Sequence, residues 1–191
     1  MSYIADDLDY LDLWEDFYKS INQKFKKVIE ESDRSRKENA DLLEITQRQL
    51  IHLINGRCNS VIKTRTIKLL VDNYGVSLDW LFDVHHTLPK YTQEAKHEAV
   101  NSDSFGGILN WNEYYKSVND KFLLIFADAH QSKQNFIDDI GMHNQYFNKI
   151  LKRKKSNTPW TIKRLKRLAD DYAVSLDWLF DVGYKRKRYR R

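Results

Sequence analysis

Apolar residues recur every three or four positions along most of the chain, which is the spacing of amphipathic helices. The first such run comprises Trp14, Phe17, Tyr18, Ile21, Phe25 and Ile29. It predicts a helix over about 14–32. Long alternating runs of β-branched residues are missing, and the chain contains only 2 prolines and 6 glycines. The pattern therefore predicts an all-α protein.

Capping residues divide the following segment into four further helices. Ser35 and Glu38 have the spacing of a capping box, and Thr46 and Ser77 are further N-cap residues. Asn55-Gly56 and Gly75 are stop signals. The predicted helices two to five span about 36–43, 46–54, 64–74 and 78–82.

The chain contains the same unit twice. Residues 14–25 read WEDFYKSINQKF and residues 111–122 read WNEYYKSVNDKF, an offset of 97 (111 − 14). Residues 76–84 and 174–182 are identical, at an offset of 98 (174 − 76), so one residue is inserted between 152 and 155. Ser132 and His143 stand at the matching cap positions, and Pro159 lies near the start of the second copy's fourth helix. The predicted organisation is a first domain at 10–84, a largely irregular linker at 85–110, a second domain at 111–183 and a basic tail at 184–191.

Residues 35–57, SRKENADLLEITQRQLIHLINGR, resemble the helix-turn-helix of the phage repressor and Cro family. They have a small residue, Ala40, in the second helix, a tight turn at 44–46, and apolar Leu50 and Leu53 on the third helix. The segment YGVSLDWLF resembles the family's closing helix, and the resemblance covers about 20–84 and 117–182. It implies two tandem five-helix domains of the lambda repressor-like fold.

Each copy departs from the family pattern at one position. The first has Glu44 where the turn usually takes glycine, at a cost of roughly 1 kcal/mol for a left-handed backbone. The second keeps Gly141 but has Ile137 where a small residue usually lets the helices approach closely.

The resemblance also implies which residues meet DNA, because the third helix of such a motif enters the major groove. Amide side chains pair with adenine there, and arginine pairs with guanine. The candidate residues on and beside the two recognition helices are Thr46, Gln47, Arg48, Gln49 and His52 in the first copy, and His143, Asn144, Gln145, Tyr146, Asn148 and Lys149 in the second. The candidate phosphate contacts are Arg36, Arg57, Lys63, Lys133, Lys152, Lys154 and Lys155.

The charge distribution favours a polyanionic partner. The net charge is only +5, but residues 46–70 carry five Lys or Arg and no acid, and residues 143–168 carry nine and no acid. Two basic stretches suit a partner such as double-stranded DNA that is met at two places. Solvated helix faces are the alternative interpretation of such runs. A linker of this length would let two recognition helices lie one turn of the duplex apart, about 34 Å.

Other classes of function find little support in the sequence. We expect no enzyme, cofactor, metal or small-molecule substrate, because no phosphate-binding glycine loop, ligand cluster or partnered nucleophile is present. No run of about 18 apolar residues predicts a membrane span, and the single Cys58 favours the cytoplasm. The leading interpretation is a sequence-specific transcription regulator of phage or bacterial type, with repression as its expected action. A protein-interaction module of the same fold is the alternative, and pairing of two chains into a homodimer is left open.

Overall fold

The computed structural model describes residues 5–55, 61–84, 110–152 and 158–182, with side chains for 14–55, 62–84, 110–152 and 158–182. Most of these residues are helical, which confirms the all-α class. The first copy contains α1 (Ala5–Glu30), α2 (Arg36–Leu42), α3 (Gln47–Ile54), β1 (Val61–Lys63), α4 (Thr64–Tyr74) and α5 (Leu78–Leu81). The second contains α6 (Trp111–Asp128), α7 (Lys133–Asp139), α8 (Asn144–Leu151), β2 (Pro159–Thr161), α9 (Ile162–Asp171) and α10 (Leu176–Leu179).

The helices begin and end close to the predicted positions, because local capping determines their ends. Ser35, Thr46 and Ser77 each accept the predicted N-cap hydrogen bond, and Gly75 ends α4 with a left-handed φ of 63°. The first helix was the exception, since α1 begins at Ala5 rather than near Trp14. The added residues are rich in aspartate, which is favourable at the positive end of a helix.

Within each copy the helices pack on one another in the same way. Lys24 on α1 donates to the backbone oxygen of Trp80 at 2.7 Å, and the equivalent Lys121 on α6 donates to that of Trp178 at 2.8 Å. Each lysine also pairs with the aspartate three residues after that tryptophan. Each lies over its tryptophan ring, at 5.2 Å and 5.3 Å from the centroid. The sequence repeat is therefore also a repeat of side-chain geometry.

The two copies join through strands that the sequence did not predict. β1 and β2 form a two-stranded antiparallel sheet in which Ile62 lies opposite Trp160. These two residues occupy equivalent positions in the repeat (160 − 62 = 98), and Val61 and Lys63 face Thr161 and Pro159 on either side. The pairing is therefore self-complementary, as in a twofold dimer. A three-residue strand is too short to show an alternating pattern, which explains the omission.

A reciprocal pair of helix caps forms the second part of this junction. Asp177 on α10 accepts hydrogen bonds from the Ser77 hydroxyl at 2.7 Å and from the Leu78 N–H at 2.6 Å, at the start of α5. Asp79 on α5 accepts the equivalent two bonds, both at 2.6 Å, from the Ser175 hydroxyl and the Leu176 N–H, at the start of α10. Each copy thus caps the closing helix of the other. We call β1, β2, α5 and α10 the intercopy interface.

Stacked cations extend the same symmetry to the first helix of each copy. Lys163 on α9 lies 4.8 Å from the ring centroid of Trp14, and in reverse Arg65 on α4 lies 4.5 Å from that of Trp111. A second pair follows in each direction: Lys166 with Phe17, and Lys68 with Tyr114. The buried apolar residues form one core cluster that includes both copies.

The relative placement of the copies therefore does not depend on the length of the linker. Residues 85–109, almost all of the predicted linker, lie outside the described residues, as does the basic tail. The strand pairing and the reciprocal caps fix one copy against the other by direct contact. That a linker of this length would let α3 and α8 lie about 34 Å apart stays a prediction, because the linker lies outside the described residues.

Candidate nucleic-acid interface

The third helix of the first copy, α3, is held at its start by a capping box. The Thr46 hydroxyl accepts from the Gln49 N–H at 3.1 Å, and the Thr46 N–H donates to Gln49 Oε1 at 2.9 Å. The preceding helix α2 begins with the same arrangement between Ser35 and Glu38. The Ser35 hydroxyl and backbone N–H hold the pKa of the Glu38 carboxyl below its ordinary value. The capped starts of α2 and α3 and the short turn between them fix the direction of α3 relative to α2.

The turn between α2 and α3 contains a glutamate with a left-handed backbone conformation. Glu44 has a φ of 52°, in the left-handed region that favours glycine. Its carboxylate pairs with Arg65, which also stacks on Trp111 of the second copy. A side chain at this position therefore connects the turn to the other copy. In the second copy Gly141 takes the equivalent conformation, with a φ of 64°.

In the second copy the core accommodates a larger residue at the position equivalent to Ala40. Ile137, equivalent to Ala40, is 2% exposed in α7. The neighbouring Phe136 packs against Phe147 of α8 with ring centroids 6.0 Å apart. Helices α7 and α8 therefore remain in contact through aromatic side chains.

One face of α3 is buried and the opposite face is open. Leu50 and Leu53 lie in the core, as predicted. Gln47 and Arg48 are exposed, and His52 is partly exposed. Arg48 Nε lies 3.4 Å from His52 Nε2, so the two polar side chains adjoin on this face.

Gln49 is exposed but has a structural role beyond the base contact predicted for it. Its Oε1 accepts from both the backbone N–H and the hydroxyl of Thr46, at 2.9 Å and 3.1 Å. Thr46 is likewise part of the cap. These two residues stabilise the start of α3, and Gln47 and Arg48 are the amide and the cation that the same turn presents outward.

The equivalent helix α8 has the same division with different residues. Phe147 and Ile150 are buried. Asn144, Gln145, Asn148 and Lys149 are exposed.

Two further candidates on this side differ in their surroundings. Tyr146 is only partly exposed and packs against the core, so it is less available than its polar neighbours. His143 is exposed and begins the helix without a side-chain cap bond.

The candidate phosphate contacts fall into three groups. Lys133 at the start of α7 reaches α8, where its Nζ donates to Asn148 Oδ1 at 2.8 Å, so the structure brings these two together. Arg36, at the start of α2, Lys63, at the end of β1, and Lys152, directly after α8, are exposed. The remaining candidates, Arg57, Lys154 and Lys155, lie outside the described residues.

Two residues on or near α3 and α8 were absent from the set of candidates predicted from the sequence. Ile51 on α3 has 38% of its surface exposed, although its neighbours Leu50 and Leu53 are buried. Its position off the buried stripe of the helix was the available signal. Arg164 is buried and donates to the Gly141 oxygen at 2.8 Å and the Pro159 oxygen at 2.9 Å, linking the turn before α8 to β2. An arginine in a basic run gave no sign of this structural role.

Among the described residues, no group of three His, Cys, Asp or Glu side chains could hold a metal ion. None of the helices in those ranges is both long and apolar enough to cross a membrane. Comparison of the chain with protein-family models, with curated proteins and with solved structures finds no match in any of the three.

Proposed function

We propose that this chain is a sequence-specific transcription regulator that binds double-stranded DNA through two tandem helix-turn-helix domains of the lambda repressor-like fold. In this proposal α3 and α8 are the recognition helices, and repression is the expected action. The observation that carries the proposal is the self-complementary intercopy interface, which relates two open polar helix faces as the subunits of a twofold dimer are related.

The symmetry suits a duplex because the two strands of DNA are themselves related by local twofold axes. Dimeric helix-turn-helix proteins use this by placing one recognition helix in each half-site. Here one chain supplies both helices and holds them by strand pairing and reciprocal caps. Since this arrangement is formed before binding, less conformational freedom is lost on binding than with a flexible connection. We therefore propose that one chain occupies one bipartite site.

The composition of the two faces supports DNA over a protein partner. Helix α3 and helix α8 contain amide and basic side chains and no acid. A helix that faces only solvent more often carries acid–base pairs at a spacing of four residues. Lys19 with Glu15 and Lys116 with Asp120 form such pairs on α1 and α6. The contrast within one chain distinguishes the recognition helices from ordinary surface helices.

The two half-sites should differ in sequence. Arg48 offers the paired donors that suit guanine, and Gln47 offers an amide that suits adenine. At the equivalent positions α8 offers two amides, Asn144 and Gln145. The half-site of the second copy should therefore be richer in A·T pairs than the half-site of the first.

Selection from a library of random duplexes tests the proposal. Gln47→Ala and Arg48→Ala should each weaken binding to the recovered sequence by about 1–3 kcal/mol without loss of helix content, because both side chains are exposed. Lys26→Ala is the matched control, since it removes one exposed positive charge from α1. It should bind nearly as the wild type does.

The mass of the complex then tests the number of chains on each site. A single chain on each duplex is expected, and two chains would contradict the built-in dimer. If the protein enriches no sequence, the proposed DNA binding is wrong and a protein-interaction module becomes the better interpretation. If Arg48→Ala weakens binding no more than Lys26→Ala does, α3 is not a recognition helix.

A further inference from the structure

Ile51 differs from the other apolar residues of α3. Leu50 and Leu53 are 1% and 5% exposed, and Ile54 is partly buried against the core, whereas Ile51 is 38% exposed. At 3.6 residues per turn, Ile51 lies about one turn beyond Gln47 and Arg48 on the same side of the helix. An aliphatic side chain therefore adjoins the two principal base-reading candidates on the open face.

Only one apolar group is available to such a side chain on the major-groove edge of a base pair. This is the C5 methyl group of thymine, which cytosine lacks and which aliphatic side chains recognise by contact. Isoleucine has no side-chain donor or acceptor, so it cannot pair with the polar edge groups that distinguish the other bases. We propose that Ile51 reads the C5 methyl group of a thymine in the half-site bound by the first copy. This inference rests on the proposed function.

The second copy provides an internal contrast. The residue equivalent to Ile51 (offset 97) is Asn148, which is exposed and accepts a hydrogen bond from Lys133 Nζ at 2.8 Å. A polar amide held by a cation does not recognise a methyl group. The dependence on a thymine methyl at this position should therefore be confined to one half of the site.

Replacing thymine by deoxyuridine removes the methyl group and leaves the base pairing unchanged. The probe is the duplex that the protein itself recovers from a random library, with each thymine replaced in turn. To identify the half-site of the first copy, the selection is repeated with Arg48→Ala. The half whose base sequence is less sharply selected by this variant than by the wild type belongs to the first copy. At one thymine of this half the replacement should weaken binding by the wild type about fourfold, the ratio for burial of one methyl-sized group.

The variants Ile51→Ala and Leu124→Ala attribute this effect to a side chain. In Ile51→Ala the same replacement should have no effect, because the contact is already lost. Leu124→Ala makes a comparable truncation at a residue of α6 that is 52% exposed, and it should respond to deoxyuridine as the wild type does. Circular dichroism should show unchanged helix content in both variants.

The outcomes separate this inference from the proposed function. If the protein binds a selected duplex but no thymine in that half responds, the assignment of Ile51 is overturned and DNA binding stands. The same holds if Ile51→Ala retains the full fourfold response. If no duplex is recovered, the proposed function fails, and the assignment of Ile51 fails with it.

Discussion

Removal of the Asp177 carboxylate should destabilise the fold through the intercopy interface. Asp177 is 2% exposed and accepts from the Ser77 hydroxyl and the Leu78 N–H. In Asp177→Ala the Leu78 N–H, at a residue that is 1% exposed, loses this acceptor. A buried donor without a partner costs about 1–3 kcal/mol, and a hydrogen bond to a charged group contributes about 1.5–3 kcal/mol. Because these terms overlap, we expect the free energy of unfolding to fall by about 2–4 kcal/mol.

The matched variants distinguish the lost cap from a general effect of substitution. Asp177→Asn retains an oxygen that can accept from Leu78 N–H, and it removes the like charge beside Asp79, so it should be clearly more stable than Asp177→Ala. Asp72→Ala removes an exposed carboxylate that pairs with Lys68 on the same helix and should cost less than about 1 kcal/mol. Urea denaturation followed by tryptophan fluorescence measures all three. Equal urea midpoints for Asp177→Ala and Asp72→Ala would refute the reasoning.

The free energy of unfolding should also depend on pH through Asp79, the counterpart of Asp177 in this interface. Burial, followed by the nearby Asp177 carboxylate, raises the pKa of Asp79 above its ordinary value of 3.8. The folded protein therefore binds more protons than the unfolded chain between these two pKa values. The resulting stabilisation is fully present below about pH 4 and is lost as the pH rises through the folded pKa.

Comparison with Asp79→Asn isolates this titration from those of other groups. As the pH rises from about 4, the wild type should lose stability relative to Asp79→Asn. The measurement is the free energy of unfolding of both proteins across this range. A constant difference, or a wild type that gains relative stability, would contradict the assignment.

Two further predictions address the interface and the candidate DNA contacts. Thr64→Val should lower the free energy of unfolding by about 1–3 kcal/mol, because buried Trp160 Nε1 donates to the Thr64 hydroxyl at 2.9 Å. Thr64→Ser retains a hydroxyl that can accept this bond, so its midpoint in urea denaturation should be higher than that of Thr64→Val. Equal urea midpoints for the two variants would contradict the importance of the bond. If about eight phosphates are neutralised on binding, the logarithm of the affinity should fall with the logarithm of salt concentration at a slope of about −7. Replacing Lys152, Lys154 and Lys155 by glutamine should flatten this slope, and an unchanged slope would place the phosphate contacts elsewhere.

The helices and their ends could be predicted because they depend on neighbouring residues. A cap such as Thr46 bonds within its own first turn, and Gly75 ends α4 because it readily adopts a left-handed φ. The amphipathic pattern also identified the buried side of α3 correctly at Leu50 and Leu53. The roles of Gln49 and Tyr146 could not be predicted in this way. Gln49 bonds to Thr46 and Tyr146 packs against the core, although either side chain could instead have faced outward. The pattern of one helix does not determine that choice.

The intercopy interface could not be predicted for a related reason. An aspartate two residues after an N-cap serine, as in Ser77-Leu78-Asp79, has an ordinary local explanation, since acids are favourable in the first turn of a helix. The sequence gives no sign that Asp79 instead accepts from the other copy's helix. Likewise the three residues of β1 pair with a strand almost a hundred residues away. Such contacts depend on the folded arrangement of both copies.

One stretch of identity between the copies lies within this interface. Residues 76–84 and 174–182 are identical and supply both halves of the reciprocal caps, so a change in either half would break bonds in the other. Elsewhere the copies differ, both in the interface strands, VIK in β1 and PWT in β2, and in the core. Asn39 accepts from the Tyr74 hydroxyl at 2.6 Å, whereas at the equivalent position Phe136 packs against Tyr172 with ring centroids 5.1 Å apart.

In a homodimer one substitution changes both recognition helices at once, because both subunits have the same sequence. In a single duplicated chain each helix can change alone while the interface stays intact. Arg48 in α3 and Gln145 in α8 occupy equivalent positions and differ in this way. Under the proposed function, a symmetric interface that carries two different recognition helices favours an asymmetric DNA site. An asymmetric site has one preferred orientation, which a palindrome lacks, so the bound protein would present its first and second copies in a fixed order along the DNA.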